Sequence, residues 1–294
     1  MATTRPLRVG VLILPDLSWA VAADVWRRAE AMEFSHAWTY DHLTWRGHRD
    51  GPWFGAIPTL TAAALATKHI RLGPLVASPN FRHPLTLAKD LITLDDISGG
   101  RVTCGIGAGS TGWDATMMGH KPWSAGERAA RFAEFVEIID ALLQEPAGSH
   151  EGQFYPVHEA RTHPGCVQLP RIPLAVAASG PRGMRLAATH AQIWVTTGSR
   201  TRPGPVSPAS GAKDVGDQIA QLEEACTEVG RDPRTLDRLV VTGPTLDSGL
   251  VSPEAFGDTV GRYAEIGVTD LVIPWPRSTD PYHADPVVFE RIFG

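Results

Sequence analysis

Residues 70–109, IRLGPLVASPNFRHPLTLAKDLITLDDISGGRVTCGIGAG, constrain the fold more than any other part of the chain. An apolar run with β-branched character over residues 70–77 is bounded by Pro79 and Pro84. Leu85, Leu87, Leu91, Leu94 and Ile97 then recur at helical spacing until Gly99 and Gly100 stop them. A second apolar run, residues 101–106, empties into Gly105, Gly107 and Gly109, where a backbone free of side chains can approach a flat ring or an oxyanion. The pattern reads strand, helix, strand, and parallel strands need such a crossover. The two strand ends either line a ligand site or make a tight turn without chemical consequence.

The same alternation runs along the whole chain. Strand patterns fall at residues 7–14, 36–40, 70–77, 101–106, 172–178, 193–196, 239–242 and 271–274. Helical patterns fall at 19–32, 57–67, 125–144, 184–190, 215–230, 253–267 and 285–293, with Phe132, Phe135, Val136, Ile139 and Leu143 forming the stripe of the strongest. Residues 108–124 read as a loop holding Trp113, Met117, Met118 and Trp123. Periodicity is lost over 145–171, an excursion outside the barrel with some extended structure, and over 198–213, a mobile lid or a disordered loop. Eight strands that alternate with helices over 294 residues predict a (β/α)8 TIM barrel spanning 1–294 as one domain, with loop excursions at its C-terminal face. An open doubly wound sheet is the alternative, but no GxGxxG follows the first strand.

Composition narrows the partners. A net charge of −5 with Lys, Arg, Asp and Glu interspersed leaves no basic stripe for nucleic acid or an anionic membrane. The first apolar run ends at Pro15 and Asp16, too short for a membrane span and without a small-residue cleavage site, so a cytoplasmic protein is expected. Cys104, Cys166 and Cys226 are an odd count without CxxC spacing, which suggests neither a disulfide framework nor a zinc site. The histidines form no ligand pair at helical spacing with a carboxylate, so no metal site is expected.

A barrel of this kind places its chemistry at the carboxyl ends of its strands. Asp41 and His42 end the second strand; alternation turns only one of them into the pocket, and imidazole suits proton transfer near neutrality. The bland reading has His42 bonding backbone while Asp41 caps or pairs with an arginine. Ser179, Gly180, Pro181, Arg182 and Gly183 link the fifth strand to a helix, either as an anion site on free N–H groups with Arg182 adding charge, or as a plain turn capped by Ser179. Trp45, Trp53, Trp113 and Trp123 sit in loops at that face, where aromatic rings stack on planar ligands or simply pack their own loops. Thr197 and Trp275 also end strands there, although Trp275 falls on an apolar face, as core tryptophans do. No GxSxG, Walker loop or recognisable nucleophilic cysteine occurs.

The segments TYDH, LGPLVASPNFRHP, DDISGGRVTCGIGAG and VAASGPRGMRLAA together resemble the luciferase-like monooxygenase superfamily, which holds bacterial luciferase and the F420-dependent oxidoreductases. The resemblance covers nearly the whole chain. It implies a barrel that binds F420 or FMN at its carboxyl face, the ring resting on a bulge at the end of the third strand. A non-prolyl cis peptide is implied at Leu75–Val76; Gly73–Pro74 is the cheaper local place for one. Tyr40, Asp41, His42, Leu75, Val76, Ala77, Ser78, Gly107, Ala108 and Gly109 would then surround the ring. Ser179, Gly180, Pro181, Arg182 and Gly183 would hold the cofactor phosphate. Trp45, Trp113, Thr197 and Trp275 would face a small-molecule substrate.

The Asp-His pair is similar to that of F420-dependent sugar-phosphate dehydrogenases and methylene-tetrahydromethanopterin reductases, which makes His42 the proposed base and F420 the expected cofactor. The glutamate that partners the histidine in the sugar-phosphate enzymes is replaced here by Ser110, so that reaction is not carried over. The expected activity is hydride transfer between F420 and an organic substrate. The alternatives are an FMN-dependent monooxygenase served by a flavin or F420 reductase partner, and a flavin-binding protein without turnover. Relatives of this type imply a homodimer or larger homo-oligomer.

Overall fold

The computed structural model describes residues 6–109, 113–199, 206–243 and 245–294. Eight parallel strands follow the order β3 (Arg71–Pro74), β2 (His36–Thr39), β1 (Arg8–Leu12), β10 (Asp270–Pro274), β9 (Asp237–Val241), β8 (Ile193–Thr196), β7 (Leu174–Ala177) and β4 (Cys104–Gly107). The two ends meet through bridges Leu72 to Val102 and Ala77 to Ile106, which closes the barrel.

Helices α1 (Trp19–Ala31), α2 (Ala56–Ala66), α3 (Pro84–Ser98), α5 (Ala125–Gln144), α6 (Pro181–His190), α7 (Pro208–Glu228), α8 (Pro253–Glu265) and α9 (Pro286–Phe293) form the outer ring. Their apolar stripes bury residues such as Trp26, Leu87, Leu91, Phe135 and Phe289 against the outside of the strands. The alternate strand residues Leu12, Trp38, Ala175, Val195, Leu239 and Val272 fill the barrel interior. Helix α3 ends where expected because Gly99 takes the left-handed cap at φ 67°, which an L side chain resists.

At the closed bottom, Trp38 Nε1 donates to His36 Nδ1 at 2.6 Å. That bond assigns the proton of the neutral ring to Nε2, 3.0 Å from Asp270 Oδ1. Arg8 donates to both Asp270 oxygens, at 2.7 and 2.6 Å. Burial raises the Asp270 carboxyl, yet the bonds from His36, Arg8 and Thr269 override it and hold the group well below the ordinary carboxylate range.

The excursion carries the extended structure expected of it, and two other stretches differ from expectation. The excursion after α5 contains an antiparallel hairpin, β5 (Ala147–His150) with β6 (Val157–Arg161), and continues along the outside of α3, where Val167 N and Gln168 N donate to Asp95. Helix α7 begins at Pro208, seven residues before the expected start at 215, with Ser207 as its cap. Small residues hide that start from any periodicity test, and they are needed: a Cβ on Gly211 would lie 2.7 Å from the Tyr263 hydroxyl. Of the expected lid, residues 200–205 lie outside the described residues. Finally, one helical turn, α4 (Trp113–Met117), interrupts the loop after β4. Among the described residues no helix is long and apolar enough to cross a membrane, and no group of three or more His, Cys, Asp or Glu side chains could hold a metal ion.

Candidate active site

The bonds between β3 and β4 show how the rim is shaped. Leu72 bridges to Val102 and Ala77 to Ile106, so β3 advances five residues while β4 advances four. The surplus chain in β3 buckles, and the peptide bond at its crest, Leu75–Val76, is cis; Gly73–Pro74 is not among the cis bonds. Glycine is required beneath this shelf. A Cβ on Gly105 would come 2.3 Å from Pro74 O, and one on Gly107 would come 2.6 Å from Val76 Cγ2. Gly109, at φ 72°, leaves room for the Asn80 side chain. Gly107 and Gly109 therefore support Val76 and Asn80, where the sequence had them flank a ligand directly.

Beside the shelf, two buried polar atoms have no hydrogen-bond partner among the described residues: Ser78 Oγ and Asn80 Oδ1. Both residues are nearly inaccessible, at 3% and 2%. A buried polar group left unpaired costs about 1–3 kcal/mol, and a pair of them at a strand end is compatible with a polar ligand edge. The conformation of the shelf and these two atoms fit a flat, heteroatom-rimmed ring of the flavin or deazaflavin type.

Alternation separates the two titratable residues after β2. Asp41 turns into the rim, 1% exposed, and accepts from Arg82 Nε at 3.0 Å and from the Arg82 terminal nitrogen at 2.7 Å. Burial pushes the Asp41 carboxyl up, and Arg82 pulls it the other way. Asp41 is thus a clamp on the loop before α3, which corrects its assignment to the cofactor. His42 turns to the mouth of the barrel. Its Nδ1 lies 2.8 Å from Asp114 Oδ2, while Asp114 Oδ1 accepts from Leu43 N at 2.8 Å. With both carboxylate oxygens engaged as acceptors, the Nδ1 proton belongs to the histidine, and in the neutral ring Nε2 carries the lone pair. No described residue bonds Nε2.

Asp114 is the group that sequence reasoning missed. Ser110, at the expected place of an acid, lies outside the described residues. The carboxylate arrives four residues later, on the single turn of α4, and its side chain is 3% exposed. The signal available was an Asp in a loop otherwise free of acids from 108 to 124.

The remaining expected residues divide. Tyr40 and Trp45 join Trp53 and Tyr282 in an aromatic cluster packed on the upper end of the barrel interior. Trp113 lies under the Arg49 guanidinium at 4.8 Å. Thr197 is half-buried after β8, its carbonyl bonded by Thr245. Trp275 packs outward, 5.2 Å from Phe289 and beneath Arg28, so the apolar-face reading holds for it and the substrate role does not. At the start of α6 the cap is Gly180, not Ser179, with Pro181 at the first helical position, so the cap itself bonds none of the free N–H groups through a side chain. Pro181, Arg182 and Gly183 border a groove of about 830 Å³ that runs outward between α5, α6 and α7.

A family model described as luciferase-like monooxygenase matches residues 6–246. The chain belongs to the luciferase-like monooxygenase family. Like other members it is an enzyme of the oxidoreductase or monooxygenase class. It is 36% identical to an F420-dependent glucose-6-phosphate dehydrogenase of Beutenbergia cavernae, covering 85% of each chain. It is 32% identical to a 4-hydroxyprotoasukamycin monooxygenase of Streptomyces nodosus subsp. asukaensis, over 88% of this chain and 66% of that one, so about a third of that protein's length has no counterpart here. The luciferase-like fold is shared with the coenzyme F420-dependent tetrahydromethanopterin reductase of Methanopyrus kandleri at a TM-score of 0.74 and 21% identity, over 92% and 94% of the two chains.

Proposed function

We propose that the protein is an F420-dependent oxidoreductase that transfers a hydride between the deazaflavin and a small organic substrate, with His42 handling the accompanying proton. The observation that carries this reading is the His42–Asp114 pair, which follows β2 at the same strand-end rim that holds the shelf and the unpaired Ser78 and Asn80 oxygens. The 36% identical relative named for F420 supports the choice of cofactor.

On this reading the shelf at Leu75, Val76 and Ala77 supports the ring, while Ser78 and Asn80 meet its polar edge. The N–H groups that open α6, with the positive end of the helix dipole and Arg182, hold the phosphate. When bound, F420 supplies or accepts a hydride. The chain's own part is the proton. Nε2 takes it from the substrate hydroxyl when a carbinol is oxidised and returns it when a carbonyl is reduced. The Asp114 carboxylate holds the tautomer and favours the imidazolium that results. A positioned acid–base group of this kind contributes about 10²- to 10⁴-fold in rate.

A second reading, an FMN-dependent monooxygenase using reduced flavin and dioxygen, is supported by the monooxygenase relative at 32% identity. Binding without turnover is disfavoured by Asp114, since a carrier has no use for an oriented imidazole. Titrating the protein separately with F420 and with FMN tests the choice. Retention of F420 is expected, and tight FMN binding with no F420 binding would overturn it. Oxygen consumption with reduced FMN identifies the second reading.

A further inference from the structure

The loop between β10 and α9 brings Tyr282 to the mouth of the barrel by an unusual path. The Asp280–Pro281 bond is cis and Tyr282 has φ 68°, a left-handed conformation that bulky residues rarely adopt. Arg277 N donates to Tyr282 O at 3.2 Å, which fastens the loop on itself. The ring then lies over Gly243, where a Cβ would come 2.8 Å from it. Its hydroxyl is 2.6 Å from the Tyr40 hydroxyl, and its face is 5.8 Å from Trp45 with an interplanar angle of 17°. Tyr40 in turn stands edge-on to His42 at 6.2 Å, and Trp53 lies 6.5 Å from the same imidazole. Chain segments far apart in sequence thus build one aromatic wall next to the proposed proton-transfer residue.

The wall carries no charge. Burial pushes the Tyr282 phenol up to about 12 and the Tyr40 phenol well above its ordinary value, so both hydroxyls stay protonated. Of the described cations around it, Arg82 is paired with Asp41 and Arg277 with Asp16, while Arg49 lies over the Trp113 ring. A phosphorylated sugar calls for a cation or a helix N-terminus facing it. A neutral planar molecule calls for aromatic surface with uncharged polar groups, and this wall is aromatic, its two hydroxyls bonded to one another.

We infer that Tyr282 is a specificity-determining residue of the substrate side, and that the wall it forms with Tyr40, Trp45 and Trp53 admits a neutral planar substrate, an aromatic or conjugated carbonyl compound, in preference to a sugar phosphate. The inference rests on the proposed function for the word substrate, but the wall itself is testable by binding alone. Isothermal titration of the full-length protein with coumarin and with glucose 6-phosphate, without cofactor and again with F420, provides the test. Coumarin is expected to bind one to one in at least one of these conditions, and glucose 6-phosphate to neither bind nor compete.

Tyr282→Ala should weaken coumarin roughly tenfold, in line with the loss of an aromatic partner. Tyr282→Phe keeps the ring and should lose only a few-fold, with an unchanged melting curve. Coumarin binding that is absent, or equal in wild type and Tyr282→Ala, overturns the inference, as does competition by glucose 6-phosphate. Loss of the F420 arm with coumarin binding intact rejects the cofactor and leaves the wall standing.

Discussion

Asp114 Oδ2 lies 2.8 Å from His42 Nδ1 although 72 residues separate them in the chain. This contact orients a half-buried rim histidine, since the buried carboxylate fixes which nitrogen carries the proton. Replacement of Asp114 by Asn keeps the size but removes the charge that favours the imidazolium. Asp114→Asn should lower turnover with F420 by about 10²- to 10⁴-fold. The double variant with His42→Ala should be no slower than His42→Ala alone, because residues that act as a unit are not additive. Steady-state rates of the three variants check this, and additive losses would separate the two residues.

Arg82 and Asp41 make a different kind of pair. Asp41 is 1% exposed, so removing its partner strands a buried charge. Arg82→Met should cost about 3–5 kcal/mol, read from urea denaturation, and Asp41→Asn in the same chain should recover part of the loss.

The shelf makes a prediction with its own rescue. Gly107→Ala places a methyl against Val76 Cγ2 at 2.6 Å, a clash that the Val76 side chain must relieve by moving. Cofactor affinity should fall in Gly107→Ala and return in large part in Gly107→Ala with Val76→Ala. Gly105→Ala meets Pro74 O, a backbone atom, at 2.3 Å, so no side-chain trimming should rescue it. Equilibrium binding of F420 to the three variants reads both outcomes.

The barrel floor predicts how stability depends on pH. Asp270 is held well below the ordinary carboxylate range in the folded state. A depressed folded value means that its contribution is fully present above the unfolded value of about 3.9 and is lost as pH falls below it. Urea midpoints should therefore drop on acidification below about pH 4. Asp270→Asn should be less stable at pH 7 and show a shallower acid dependence.

Much of this was legible in the sequence, and the parts that were not share a cause. Strands and helices announce themselves by period, so the eight barrel strands and the helix closed by Gly99 could be placed from the residues. The Leu75–Val76 position came from resemblance, and the glycines that permit it are visible as a pattern, but their role under Val76 and Asn80 needs coordinates. Asp114 and Tyr282 were hidden because each sits in a short irregular segment and acts on a residue distant in sequence. Trp275 illustrates the opposite error: a strand-end position suggested the site, whereas its apolar setting gave its true packing against Phe289.

A crystal structure of the protein with F420 bound tests the central claim most directly. The account predicts the ring against Leu75, Val76 and Ala77, with Ser78 and Asn80 at its polar edge, His42 facing its reactive side and the phosphate at the start of α6. A ring lodged elsewhere in the barrel, or His42 walled off from it with Arg182 turned from the phosphate, would contradict the account.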